Sequence, residues 1–159
     1  LLGHYLEHFK STVFRQTQFA EFELLIHEAV EKGEALTGDS LDELYLRLAR
    51  EYYGHDSNVC TVDEYVRSEW SYIPHFYYNF YVFQYATSFC ASSAICKRVL
   101  EGEGEAIERY VELLSAGGSD YPIELLKRAG VDMGTTGPVE TAIRKMDRIM
   151  DEMEVLLGT

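Results

Sequence analysis

The sequence predicts an all-α, multi-helical fold, and three observations predict it. Apolar residues recur three and four apart along most of the chain, no segment sustains the period-two alternation of a half-buried strand, and capping-box patterns stand ahead of apolar runs. Spacing of this kind gathers apolar side chains on one helix face, because a turn takes about 3.6 residues. A length of 159 residues, 47% hydrophobic content and only 3 prolines suit a single folded domain over 1–159.

The elements follow in order. From Tyr5 to about Lys32, Leu6, Phe9, Val13, Phe19, Phe22, Leu25, Ile26 and Val30 hold helical spacing, which predicts one long amphipathic helix stopped at Gly33. The loop "GEALTGD" leads to Ser40 with Glu43 three residues on, a capping box that opens a helix to about Tyr52. "YYGHDSN" is turn chemistry, and Thr61 with Glu64 repeats the box before a helix ending near Tyr72. It ends there because Pro74 disfavours helical backbone in the residue before it. Proline suits a first helical turn, so the next helix is expected from near Pro74 to about Glu101. A helix ending at Gly117–Gly118 and a short one opening near Pro122 come next. A last helix from Pro138 carries Val139, Ile143, Met146, Met150 and Met153 three or four apart. No signal segment leads the chain, and "LLGHYLEHFK" already has helix-type spacing, so the chain is expected to begin inside an element of a longer protein.

Charge and cysteine usage exclude several functions. A formal net charge of −13 without a Lys/Arg stripe repels a phosphate backbone, so no nucleic-acid partner is expected. Cys60, Cys90 and Cys96 form neither a CxxC nor a zinc-knuckle spacing and predict reduced, buried thiols in a cytoplasmic protein. The run from Ser71 to Cys96 lacks Asp, Glu, Lys and Arg and is long enough to span a bilayer. His75, Asn79, Gln84 and its Ser/Thr residues, with a mean hydropathy of −0.18 for the whole chain, instead predict the central helix of a soluble protein and no membrane partner.

From Trp70 to Tyr85 the chain carries 9 aromatic residues. On a continuous helix with Phe76 at zero, Phe80 and Phe83 fall at about 40° and about −20°. Tyr77, Tyr78, Tyr81 and Tyr85 fall on the opposite side, at about 100° to 200°. Phenylalanine needs no polar partner and a buried tyrosine hydroxyl does, so the phenylalanine stripe is expected in the core. The tyrosine face, led by His75, either packs between helices or presents phenol and imidazole donors to a polar ligand such as a peptide carbonyl.

Other chemistry is incomplete. His27-Glu28 begins an HExxH that Glu31 does not finish, and Glu23, His27 and Glu31 at i, i+4, i+8 would place three chelating groups on one helix face without completing a metal site. No Glu-x-x-His pair of the di-iron type, no GxSxG and no glycine-rich phosphate loop occurs.

The blocks "FRQTQFAEFELLIHEAVEKGEALT", "YLRLAREYYG", "IPHFYYNFYVFQYATS" and "LLSAGGSDYPIELLKRAGVDM", in this order, resemble the C-terminal part of the oligoendopeptidase F family of thimet-oligopeptidase-like zinc metallopeptidases. The resemblance implies a C-terminal helical segment of a larger zincin-type fold. The zinc would be held by an HExxH helix and a further glutamate upstream of Leu1, and no metal ligand would lie in this chain. It implies cleavage of oligopeptides by zinc-bound water, with this region walling a deep substrate channel together with the remainder of the same peptidase chain. Carried over by position, His75 and Tyr81 would contact the substrate carbonyl and steady the tetrahedral intermediate, and Tyr78 and Tyr85 would bind substrate. Many relatives have tyrosine where this chain has Phe83, so no hydroxyl acts there. The competing expectation is a stand-alone helical binding module without catalysis.

Overall fold

A computed structural model describes residues 1–158 of the chain. The elements are α1 (Leu2–Phe9), a π-helical turn (Lys10–Phe14), α2 (Arg15–Glu31), α3 (Gly38–Tyr52), 3-10 helices at Glu64–Tyr72 and Pro74–Tyr77, α4 (Phe83–Leu100), α5 (Ala106–Ala116), α6 (Pro122–Arg128) and α7 (Gly137–Leu157). The described residues contain no strand, so the fold is all-α as the apolar spacing predicts. No helix among them is long and apolar enough to cross a membrane. Two compact units divide the chain: Ser11–Tyr85, and Leu1–Lys10 with the residues from Ala86 onward.

The unit Ser11–Tyr85 is built on α2 and α3. The helix expected from Tyr5 to Lys32 is interrupted by the π turn, where side chains reach carbonyls of the widened backbone: Thr17 Oγ1 donates to Val13 O at 2.7 Å and Gln16 Nε2 to Ser11 O at 3.3 Å. Gly33 ends α2 as expected, its φ of +78° lying in the left-handed region that side chains avoid. The cap of α3 is Thr37, not Ser40. Thr37 is extended, its Oγ1 accepts from Ser40 N at 3.2 Å, and Ser40 Oγ accepts from Thr37 N at 2.9 Å. Ser40 is already helical, so it serves as the reciprocal partner in the box. Thr61 likewise caps nothing; Glu64 opens a 3-10 helix preceded by Asp63, with no side-chain cap.

Phe19, Phe22, Tyr45, Leu48, Ile73 and Val82 form the core of this unit. Phe22 meets Tyr45 edge-on at 5.3 Å and Phe76 at 5.1 Å between ring centroids. Fully buried Tyr45 satisfies its hydroxyl by donating to Glu69 Oε2 at 2.6 Å, and Arg15 pairs with the other oxygen of that carboxylate. Trp70 Nε1 donates to Asp42 Oδ1 at 2.7 Å, which ties the 3-10 helix to α3.

In the other unit, α1 lays Tyr5, His8 and Phe9 around Phe89 of α4, with Phe9 edge-on at 5.2 Å. Ala91 and Ala94 of α4 pack with Val131. Arg98 reaches from α4 to donate to Ala129 O at 2.8 Å, beside Gly130 at φ +85°. Of the cysteines expected to be buried, only Cys90 is; Cys60 and Cys96 are exposed, Cys60 in the irregular segment after α3.

Candidate functional site

The aromatic segment does not form the continuous helix expected from Pro74 onward. After one 3-10 turn the chain leaves helical geometry at Tyr78, places Asn79 and Phe80 in the left-handed region at φ +49° and +58°, and re-enters a helix at Phe83. The helical wheel therefore does not apply across the break, and the phenylalanines do not share a core stripe. Phe76 packs against Phe19 and Phe22, whereas Phe80 and Phe83 are 38% and 47% exposed. Core anchorage comes instead from Ile73 and fully buried Val82, one on either side of the loop.

The break still gathers the four expected site residues. His75, on the 3-10 turn, lies 6.0 Å from the Tyr81 ring with the planes 6° apart, and 5.5 Å from the Tyr85 ring, edge to face. Tyr78 stands edge-on to both His75 and Tyr81, at 6.4 and 6.0 Å. The Tyr85 hydroxyl lies 3.3 Å from His75 Nε2 and 3.5 Å from the Tyr81 hydroxyl, to which it donates. That donated hydrogen bond pushes the Tyr85 phenol above its ordinary pKa, which keeps it a donor. Tyr77, grouped with these residues on the wheel, stands apart and reaches Ser71 O at 3.4 Å.

The cluster presents polar groups outward on an apolar base. Tyr78, Tyr81 and Tyr85 are 60%, 39% and 37% exposed, and His75 is half-buried. What it offers chemically is several phenolic O–H groups and an imidazole within one small surface, suited to a carbonyl or carboxylate oxygen.

The α2 face that spacing alone marks as a possible chelating row is used differently. Glu23 is 1% exposed and accepts the Phe80 N–H at 2.7 Å, His27 lies against the Phe80 ring at 4.4 Å, and Glu31 is exposed to solvent. Among the described residues, no three His, Cys, Asp or Glu side chains come together to hold a metal. The hold of Glu23 on Phe80 left no trace in spacing or composition, since the two residues lie 57 positions apart.

The model of Peptidase family M3 matches residues 1–145, and the chain is a member of that family. Over 157 residues it is 48% identical to oligopeptidase PepF of Bacillus subtilis, a match covering 99% of this chain and 23% of that protein. Group B oligopeptidase PepB of Streptococcus agalactiae is 45% identical over 158 residues, with 99% and 26% covered. The crystal structure of oligoendopeptidase-F from Enterococcus faecium shares the fold at a TM-score of 0.94 and 49% identity, over 99% of this chain and 30% of that one. The chain spans about a quarter of the length of the curated relatives it matches.

Proposed function

We propose that this chain is the C-terminal part of a cytoplasmic zinc oligoendopeptidase, supplying substrate and transition-state contacts while the zinc ligands lie elsewhere in the parent chain. The convergence of His75, Tyr78, Tyr81 and Tyr85 into one exposed donor cluster supports this reading most directly. Membership of a peptidase family, and relatives named as oligopeptidases, support an oligopeptide as the substrate class.

In this reading Tyr81 and His75 direct donors at the carbonyl oxygen of the bond being cleaved. That oxygen gains negative charge as the carbon becomes tetrahedral, so a donor placed for the oxyanion is worth more in the transition state than in the bound substrate. Tyr85 holds the pair in place through its hydroxyl, and Tyr78, the most exposed of the four, meets the peptide on either side of the scissile bond. Zinc, held by the parent protein, would supply the Lewis acid and activated water of this family's hydrolysis.

The test is kinetic. In the full-length parent, Tyr81→Phe is expected to lower kcat by about 100-fold, the usual loss for one oxyanion donor, with KM little changed. An unchanged kcat would remove Tyr81 from the chemistry. The isolated chain is expected to hydrolyse no peptide even with added zinc, and turnover by it would overturn the assignment of the metal to the rest of the parent.

A further inference from the structure

Glu23 is a buried carboxylate for which the proposed reaction has no use, and its contact is unusual. It accepts the main-chain N–H of Phe80 at 2.7 Å, at the one place among the described residues where two consecutive residues other than glycine, Asn79 and Phe80, take left-handed backbone. Left-handed geometry is costly for a bulky residue and persists only where its surroundings hold it. Here α2 holds Phe80 twice, by Glu23 at the main chain and by the His27 ring at 4.4 Å from the side chain. Fully buried Val82 pins the chain two residues later.

The residues flanking this turn are Tyr78 and Tyr81. Had the backbone continued as a helix, His75, Tyr78, Tyr81 and Tyr85 would be spaced along one rod. The left-handed pair instead turns the chain between His75 and Tyr81, and the Tyr81 ring lies parallel to His75 at 6.0 Å.

We propose that Glu23 is a positioning residue: its hydrogen bond to the Phe80 N–H holds the left-handed turn that aims Tyr81, and with it Tyr78, at the substrate. The inference rests on the reading that Tyr81 is a donor to the reacting carbonyl. Glu23 itself touches no substrate. Its effect travels through one peptide unit, and a displacement of about 1 Å at a positioned group can cost as much as 100-fold in rate.

A double-mutant cycle in the full-length parent tests it. Glu23→Gln keeps an acceptor oxygen and should retain kcat within about threefold, as expected for a neutral in place of a charged acceptor. Glu23→Leu removes the acceptor and should lower kcat by about 10- to 100-fold with KM within about twofold. Combined with Tyr81→Phe, it should lower kcat little further, because both changes remove the same interaction. Should Glu23→Leu not fold, Glu23→Asp, which withdraws the acceptor by one methylene, carries the same cycle. Equal, additive losses in the presence and absence of the Tyr81 hydroxyl would show a merely structural residue and overturn the proposal, as would an unchanged kcat in the Leu or Asp variant. If Tyr81→Phe alone leaves kcat intact, the functional reading falls and this proposal with it. If that single variant is impaired and the cycle is additive, only the role of Glu23 is lost.

Discussion

At the scale of single residues, the unit Ser11–Tyr85 is organised by carboxylates that accept from distant donors. Glu69 takes the Tyr45 hydroxyl and the Arg15 guanidinium, Asp42 takes the Trp70 indole and the Ser68 hydroxyl, and Glu21 takes the Tyr52 hydroxyl. Each bond closes a contact of high sequence separation, so none was legible beforehand, although the residue types were in plain view. The hydrogen bond from Trp70, with that from Ser68, holds the Asp42 carboxyl below its usual pKa. A depressed folded value means that the stability Asp42 contributes is present above the unfolded pKa, near about 4, and is lost as pH falls through the lower folded value. Asp42→Asn is therefore expected to lower the Tm at neutral pH and to flatten its fall as the pH drops below about 4, measured by thermal unfolding across the acid range. An unflattened acid limb would show that other carboxylates govern it.

At the scale of elements, local signals were read well where the backbone answers to local chemistry alone. Gly33, the glycine pair at 117–118, Pro122 and Pro138 mark helix ends and starts within a residue or two of where the structure has them. The cap of α3 shifted because two exposed hydroxyls three residues apart can each serve, and it is Thr37 that is extended while Ser40 is already helical. Thr37→Ala is expected to cost about 1 kcal/mol in urea unfolding, whereas Thr61→Ala, which removes no cap, should cost markedly less. Gly130→Ala probes the α6 exit. With φ at +85° and a new Cβ 1.5 Å from Arg98 Nη1, it should force that guanidinium from the Ala129 carbonyl and cost more than about 1 kcal/mol by the same measurement. The segment from Pro74 is the element misread. Nothing in "IPHFYYNFYVF" forbids a helix, and the break depends on an acceptor that α2 supplies from another part of the chain.

At the scale of the whole molecule, a net charge of −13 over 159 residues opposes compaction by self-repulsion, a long-range effect that salt screens within about 10 Å at 0.1 M. Raising ionic strength from about 0.01 M to about 0.15 M should therefore raise the Tm, and a Tm indifferent to salt would show that the acidic residues are already balanced by local pairs. The all-α class, most of the helix ends and the resemblance to oligoendopeptidase F were determined by the sequence itself. Apolar spacing, glycine and proline act over a few residues and need no partner to express them. The grouping of His75, Tyr78, Tyr81 and Tyr85 was anticipated as one helix face, yet it arises by another route. Tertiary structure alone decided that route, because a left-handed Asn79–Phe80 pair is unfavourable in isolation and holds only where buried Glu23, the His27 ring and the burial of Val82 fix it.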